Sequence, residues 1–208
     1  MIKMKRDYPG LEKITYEAAL QRAWDDLLRR DPLEIAEFSL SRIFDSVIVV
    51  RFFTKEYSVD LGRKIIKHDH QPLEPFPSIL ILHYLCGCSD LHPTGEMITF
   101  REIPGGDFYY AAFKSRAIDP LVMKFGSKPE MLFTAAERLG AEKIDMGSAS
   151  VRIDVFAKLP VIVVVWEGDE EIPSSANILF DRTAASIFPT EDLAVIGSLV
   201  SSRLTKAV

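Results

Sequence analysis

The sequence predicts an α+β fold, a mainly antiparallel sheet covered by helices, in a single compact domain over residues 1–208. Three observations predict it. Segments of helical and strand character come in clusters, not in strict β-α-β alternation, which favours antiparallel pairing over a doubly wound sheet. The run from Val161 to Trp166 is apolar on both faces, as a central strand requires, and Asn177 to Phe180 returns beside it. The helical stretches begin at Thr, Asp or Ser and several end at Gly, residue types that satisfy or terminate helix ends. A lobe boundary would fall between Gly140 and Gly147, although the composition there is not that of a linker.

Each element has its own signal. From Thr15 the spacing Tyr16, Leu20, Ala23, Trp24, Leu27 is helical, with Thr15 as N-cap and Arg29-Arg30 at the negative C-terminal end. Asp31-Pro32 restarts a short helix, with Asp as cap, Pro in the first turn and Glu34 three residues after the cap. Val47 to Phe53 reads as a buried strand. Tyr57, Val59 and Leu61 alternate with Ser58 and Asp60 as its half-exposed partner. Ser78 to Gly87 is apolar nearly all round, so as a helix it lies in a core.

Met97 to Ile103 reads as a strand closed by the turn Pro104-Gly105-Gly106. Three helical pieces follow. Asp107 caps the first, and Asp119-Pro120 opens the second, which ends at Gly126. Ser127 to Glu130 forms a capping box for the third, ended by Gly140. Val151, Ile153 and Val155 alternate with Arg152 and Asp154 as a strand, and Thr190 caps a last helix built on Leu193, Ile196, Val200 and Leu204.

Composition removes several classes of function. The formal net charge is −5 with both signs mixed along the chain, so no basic face is expected to neutralise nucleic-acid phosphates. No apolar run approaches the roughly 18 to 20 residues that cross a bilayer. The basic start MIKMKRDYPG is followed by no apolar segment, which is not the pattern of a signal peptide. Cys86 and Cys88 are the two cysteines, too close in sequence for a disulfide framework. The expected compartment is the cytoplasm.

Three constellations can carry chemistry. The first is Glu167, Asp169, Glu170 and Glu171 after the Trp166 strand, with Asp181 at the end of the returning strand. Grouped carboxylates hold a hard cation through oxygen ligands, or divide acid and base roles when burial separates their pKa values. The competing reading is a solvated hairpin with outward-facing charges. In that reading Gly168 supplies the turn and Asp181 caps the next helix.

The second lies between Gly95 and Tyr110, where a strand ends in Pro-Gly-Gly before a helix. Such a turn can aim the N–H groups of Gly105 and Gly106 at an anion, assisted by Arg101, Lys114 and Arg116, with Tyr109 and Tyr110 to stack on a planar ligand. Here the competing reading is a structural turn, with Arg101 and Glu102 pairing to other charges. The third, Cys86 and Cys88 with His83 and His92, lacks zinc-ligand spacing. Cys86 sits in an apolar helix, where a thiol acts as a small hydrophobe. No nucleophile elbow is present. No tightly held metal or cofactor is expected.

The segments LHYLCGC and GEMITFREIPGGDFY, then LPVIVVVWEGDEEIPSSANILFD and TEDLAVIGSLV, together resemble the uncharacterised domain-of-unknown-function family 3786 of anaerobic bacteria and archaea. The resemblance runs from about Trp24 to Leu204, with motif blocks around Phe100-Arg101-Glu102 and from Trp166 to Asp181. Two positions depart mildly: Met97, where an aromatic or Lys is more usual, and Ile172, where an aromatic is. Some relatives carry an iron–sulfur segment similar to that of corrinoid iron–sulfur proteins. This chain has no cysteine before Cys86, so no cluster is expected. The resemblance implies an anaerobe's cytoplasm and a partner in corrinoid or one-carbon metabolism. It brings no catalytic residues.

Two functions follow as expectations. One is a binding or accessory module that recognises a protein or small molecule through Arg101, Glu102, Gly105, Gly106, Trp166 and the acids. The other is an enzyme using those acids on a weakly bound divalent cation. The binding reading is preferred, since no catalytic signature is present. Two geometric expectations accompany it: Arg101 lies near one of the carboxylates, and the Trp166 ring is mostly buried.

Overall fold

A computed structural model describes the backbone of residues 9–208 and the side chains of residues 16–208. Contacts group the chain into two compact units. The first holds the described residues up to Val50 together with Glu56–Cys88, and the second holds Arg51–Lys55 and Ser89–Val208. Residues 140–147 lie inside the second unit.

In the first unit, α1 (Pro9–Leu27) begins upstream of Thr15, so Thr15 is not its cap. Its apolar residues Ala23, Trp24 and Leu27 are buried as the spacing predicts. Asp31 caps α2 (Pro32–Phe38), its carboxylate accepting from the backbone N–H groups of Leu33 and Glu34 at 2.7 and 3.2 Å. The strands β1 (Arg42–Phe44), β2 (Val47–Phe52), β3 (Lys55–Asp60), β4 (Ile65–His68) and β5 (Gln71–Pro72) form one sheet in sequence order. Ile48 and Val50 on β2 and Tyr57 and Val59 on β3 are buried, which gives the sheet one apolar face. The apolar helix α3 (Pro75–Gly87) is buried over most of its surface. Arg30 closes its end by donating to the carbonyls of Cys86 and Cys88, and Tyr84 donates to the Ser39 carbonyl at 2.8 Å.

The second unit carries the other antiparallel sheet. Its strands are β6 (Met97–Thr99), β7 (Glu142–Ile144), β8 (Ala149–Phe156), β9 (Leu159–Trp166) and β10 (Ser175–Asp181), in the order β6-β10-β9-β8-β7. The apolar strand β9 is central, as its two-sided hydrophobicity requires. Val161, Val163, Val164 and Val165 have no solvent exposure, and burying each such side chain contributes about 1.5–3 kcal/mol. The α+β class and the antiparallel pairing read from the sequence are both observed.

Helices α4 (Gly106–Phe113), α5 (Asp119–Phe125), α6 (Met131–Glu137), α7 (Ala184–Ile187) and α8 (Thr190–Thr205) complete this unit. Leu193, Ile196, Val200 and Leu204 of α8 are fully buried, and Gly197 lets α8 approach α4 closely. A Cβ there would stand 2.4 Å from the Phe113 ring.

Two local expectations are corrected. The strand from Met97 stops at Thr99, because Glu102 folds back to accept from the N–H and hydroxyl of Thr99 and turns Phe100–Glu102 into a 3₁₀ turn. Phe100 then stacks on Phe113 with centroids 4.0 Å apart. Asp119-Pro120 opens α5, which ends at Gly126 as read. Lys114–Ile118 forms a π-helical segment joining α4 to α5, and the longer hydrogen-bond step makes room for a proline that has no N–H to give. The Ser127 capping box does not form, since α6 starts at Met131 with no side-chain cap.

Candidate functional site

The second motif block occupies one end of the second sheet. β9 and β10 pair from Phe180 opposite Val161 to Ser175 opposite Trp166, and the loop Glu167–Ser174 joins them. Asp169 organises this loop. Its Oδ1 accepts from the N–H groups of Glu171 and Ile172 at 2.9 and 2.7 Å, and its own N–H donates to the Ile172 carbonyl. These N–H groups, that of Ile172 first, hold the Asp169 carboxyl below its ordinary range. Gly168 is required by close approach, for a Cβ would stand 2.4 Å from the Ser174 nitrogen. Glu167 N–H donates to Ser148 Oγ, which ties the loop to the neighbouring turn between β7 and β8. The carboxylates of Glu167, Glu170 and Glu171 face solvent.

Trp166 corrects an expectation. Its ring is 41% exposed, although the five residues before it are buried. Strand alternation accounts for this only together with Gly147. A Cβ on Gly147 (φ +60) would stand 3.2 Å from Trp166 Nε1, so the indole lies across the bare glycine at the rim of the sheet and not inside it. Its N–H has no acceptor among the described residues. Ile172 in the same loop is 65% exposed, and Met146 in the adjoining turn 40%. Sequence reasoning missed Met146 and Gly147. Their signal is tertiary, because it depends on which turn lies beside β9.

Asp181 does not belong with the other acids. It lies opposite Met97 at the far end of β10, six residues beyond Ser175, a span of about 20 Å at the usual strand rise. Its carboxylate is fully buried. Oδ1 accepts from the N–H and hydroxyl of Thr94 and of Thr183, and Oδ2 from Gly95 N–H at 2.6 Å. Burial pushes this carboxyl up, but the bonds from Thr183, Gly95 and Thr94 outweigh it and hold the pKa below the ordinary value. Asp181 is a structural clamp.

The first block is a turn that the fold uses for itself. Gly105 (φ +78) precedes α4 as its N-cap, so Asp107 is not the cap. A Cβ on Gly106 would meet the Phe100 carbonyl at 2.0 Å. Arg101 bonds Asp107 at 2.8 Å and lies 5.0 Å above the Tyr110 ring, so its ion-pair partner is not one of Glu167, Asp169, Glu170, Glu171 or Asp181. Glu102 is occupied by Thr99, and Lys114 by Asp119 at 2.5 Å. Thr190 Oγ1 donates to the Pro104 carbonyl, and Tyr109 donates to Glu191, fixing the turn to the start of α8. The two blocks are neighbours through β6 and β10, as expected, but their charged groups are spent separately.

Among the described residues, no three His, Cys, Asp or Glu side chains come together to hold a metal ion. Burial pushes the Cys86 thiol up to about 11, against the opposing charge of Arg30. No helix among the described residues is long and apolar enough to cross a membrane.

An α+β protein with an acidic loop around a half-exposed tryptophan is therefore the class that fold and geometry define. The chain belongs to the family described as Domain of unknown function (DUF3786), whose model matches residues 31–203. No curated protein and no solved structure matches it.

Proposed function

We propose that this protein is a cytoplasmic binding or accessory module that takes a segment of a partner protein on the loop end of its second sheet. The observation that carries the reading is the Trp166 ring, 41% exposed with its N–H unpaired among the described residues, beside the Glu167–Glu171 acids. An aromatic anchor with apolar neighbours Ile172 and Met146 and an acidic rim suits a basic segment bearing an aliphatic or aromatic residue. The same acids repel nucleic-acid phosphates. Corrinoid or one-carbon metabolism in an anaerobe is the setting that the family resemblance adds to this proposal. The alternative, an enzyme in which five carboxylates share a cation, loses Asp181 to the far end of β10.

Trp24 is 4% exposed, so Trp166 emission reports on this surface. Peptides selected by display on the full chain should be rich in Lys or Arg next to an apolar residue and should shift that emission to the blue. Their affinity should fall about tenfold with Trp166→Ala, or with Glu167, Glu170 and Glu171 all changed to Gln. Selected peptides that bind both variants as well as the wild type would sink the reading.

A further inference from the structure

The helix that runs from α4 through the π segment into α5 has one buried side and one bare side. Phe113, Ala117, Leu121 and Phe125 recur at every fourth residue and are buried. On the opposite side Phe108, Ala111, Ala112 and Ser115, spaced i, i+3, i+4 and i+7, are exposed. Phe108 is 92% exposed, and Met123, which points away from Leu121 and Phe125, is 85% exposed. A single apolar side chain on a surface needs no explanation. Two of nearly full exposure on the bare side of one helix mark a face that is covered in use.

The charges beside this face say what covers it. Along one flank stand, in chain order, Arg101, Asp107, Lys114 and Asp119. Asp107 and Lys114 are two helical turns apart and so share that flank. Arg101 is held to it by Asp107 at 2.8 Å, and Asp119 by Lys114 at 2.5 Å. The row therefore reads plus, minus, plus, minus. Turned end for end it reads minus, plus, minus, plus, opposite in sign at every place. A row with this property is complementary to itself across a two-fold axis, and a partner of different sequence would require no such symmetry. All four side chains are open to solvent, and the carboxylates and the ammonium keep bonding capacity beyond their present partners.

We propose that this face binds the same face of a second copy of the chain, the two helices running antiparallel about a two-fold axis near the middle of the charge row. Arg101 and Asp107 of each copy then stand opposite Asp119 and Lys114 of the other. Phe108 lies over Ala111 and Ala112 of the second copy, whose small side chains leave room for a ring. A helix face about 30 Å long and about 10 Å wide buries on the order of 1,000 Å² over both copies, the lower end for specific association. A contact of that size suits a dissociation constant of about 10–100 μM.

The test is sedimentation equilibrium of the full chain between about 1 and 500 μM, with a urea melt to show that each variant is folded. The wild type should pass from monomer to dimer, and Phe108→Ser should weaken association at least about tenfold. Leu33→Gln, at an exposed leucine of α2, should leave it unchanged. Asp107→Lys and Lys114→Glu should each weaken association at least about tenfold, since each sets like charges opposite one another. Mixed in equal amounts, these two variants restore opposite signs at every place and should form a heterodimer about as tight as the wild-type dimer. A wild type that stays monomeric at about 500 μM overturns the proposal and leaves the face to a different chain. A mixture that associates no better than either variant alone, or an equal loss with Leu33→Gln and Phe108→Ser, overturns it as well.

Discussion

Asp181 Oδ2 accepts the backbone N–H of Gly95 at 2.6 Å, joining the end of β10 to the loop before β6. With Thr94 and Thr183 on its other oxygen, this buried carboxylate accepts three backbone N–H groups. Asp181→Ala leaves them unanswered, and stability should fall by about 3–5 kcal/mol in urea unfolding. A loss of under about 1 kcal/mol would show that Asp181 is free for another role.

The same carboxyl gives a pH dependence. Its folded pKa lies below the ordinary 3.8, so its stabilisation is complete above the unfolded value and is lost as pH falls through the folded one. The gap in unfolding free energy between wild type and Asp181→Asn should be constant from neutral pH down to about pH 5 and narrow below about pH 4. A gap that widens on acidification would reverse the sign argued here.

Trp166→Ala should be nearly silent in stability. Truncating a buried aromatic costs about 3–5 kcal/mol, but this ring rests on the rim of the sheet, so about 1.5 kcal/mol or less is expected by thermal or urea unfolding. A full core-sized loss would return Trp166 to the interior.

Two glycines separate close approach from backbone freedom. Gly106→Ala drives a methyl group against the Phe100 carbonyl and should cost about 2–3 kcal/mol. Gly95→Ala meets nothing within 4 Å and carries only the strain of φ +78, about 1 kcal/mol. Equal costs in urea unfolding would mean that the turn at Gly106 relaxes freely.

Cys86 should be slow to react. With its thiol pushed up to about 11, roughly one molecule in a thousand carries the thiolate at pH 8. Disulfide reagents should label it over hours in the native protein and within minutes in urea. Fast native labelling would mean that α3 opens readily.

The sequence by itself determined the elements whose signal is local. Asp31-Pro32 specified a cap that formed as read, the two-sided run from Val161 could only be a central strand, and the spacing from Leu193 to Leu204 placed one face of α8 in the core. Where a local signal met a competing partner, tertiary structure decided. Glu102 took Thr99 and ended β6 early, and α6 started at Met131 without the capping box that Ser127 to Glu130 offered. The candidate site shows the same division. The four acids and Trp166 were legible as a loop after a strand. Their distance from Asp181 depended on the register of β10, and the exposure of Trp166 on a glycine from another turn. Both are relations between segments distant in the chain, and periodicity within one segment carries no information about what lies beside it.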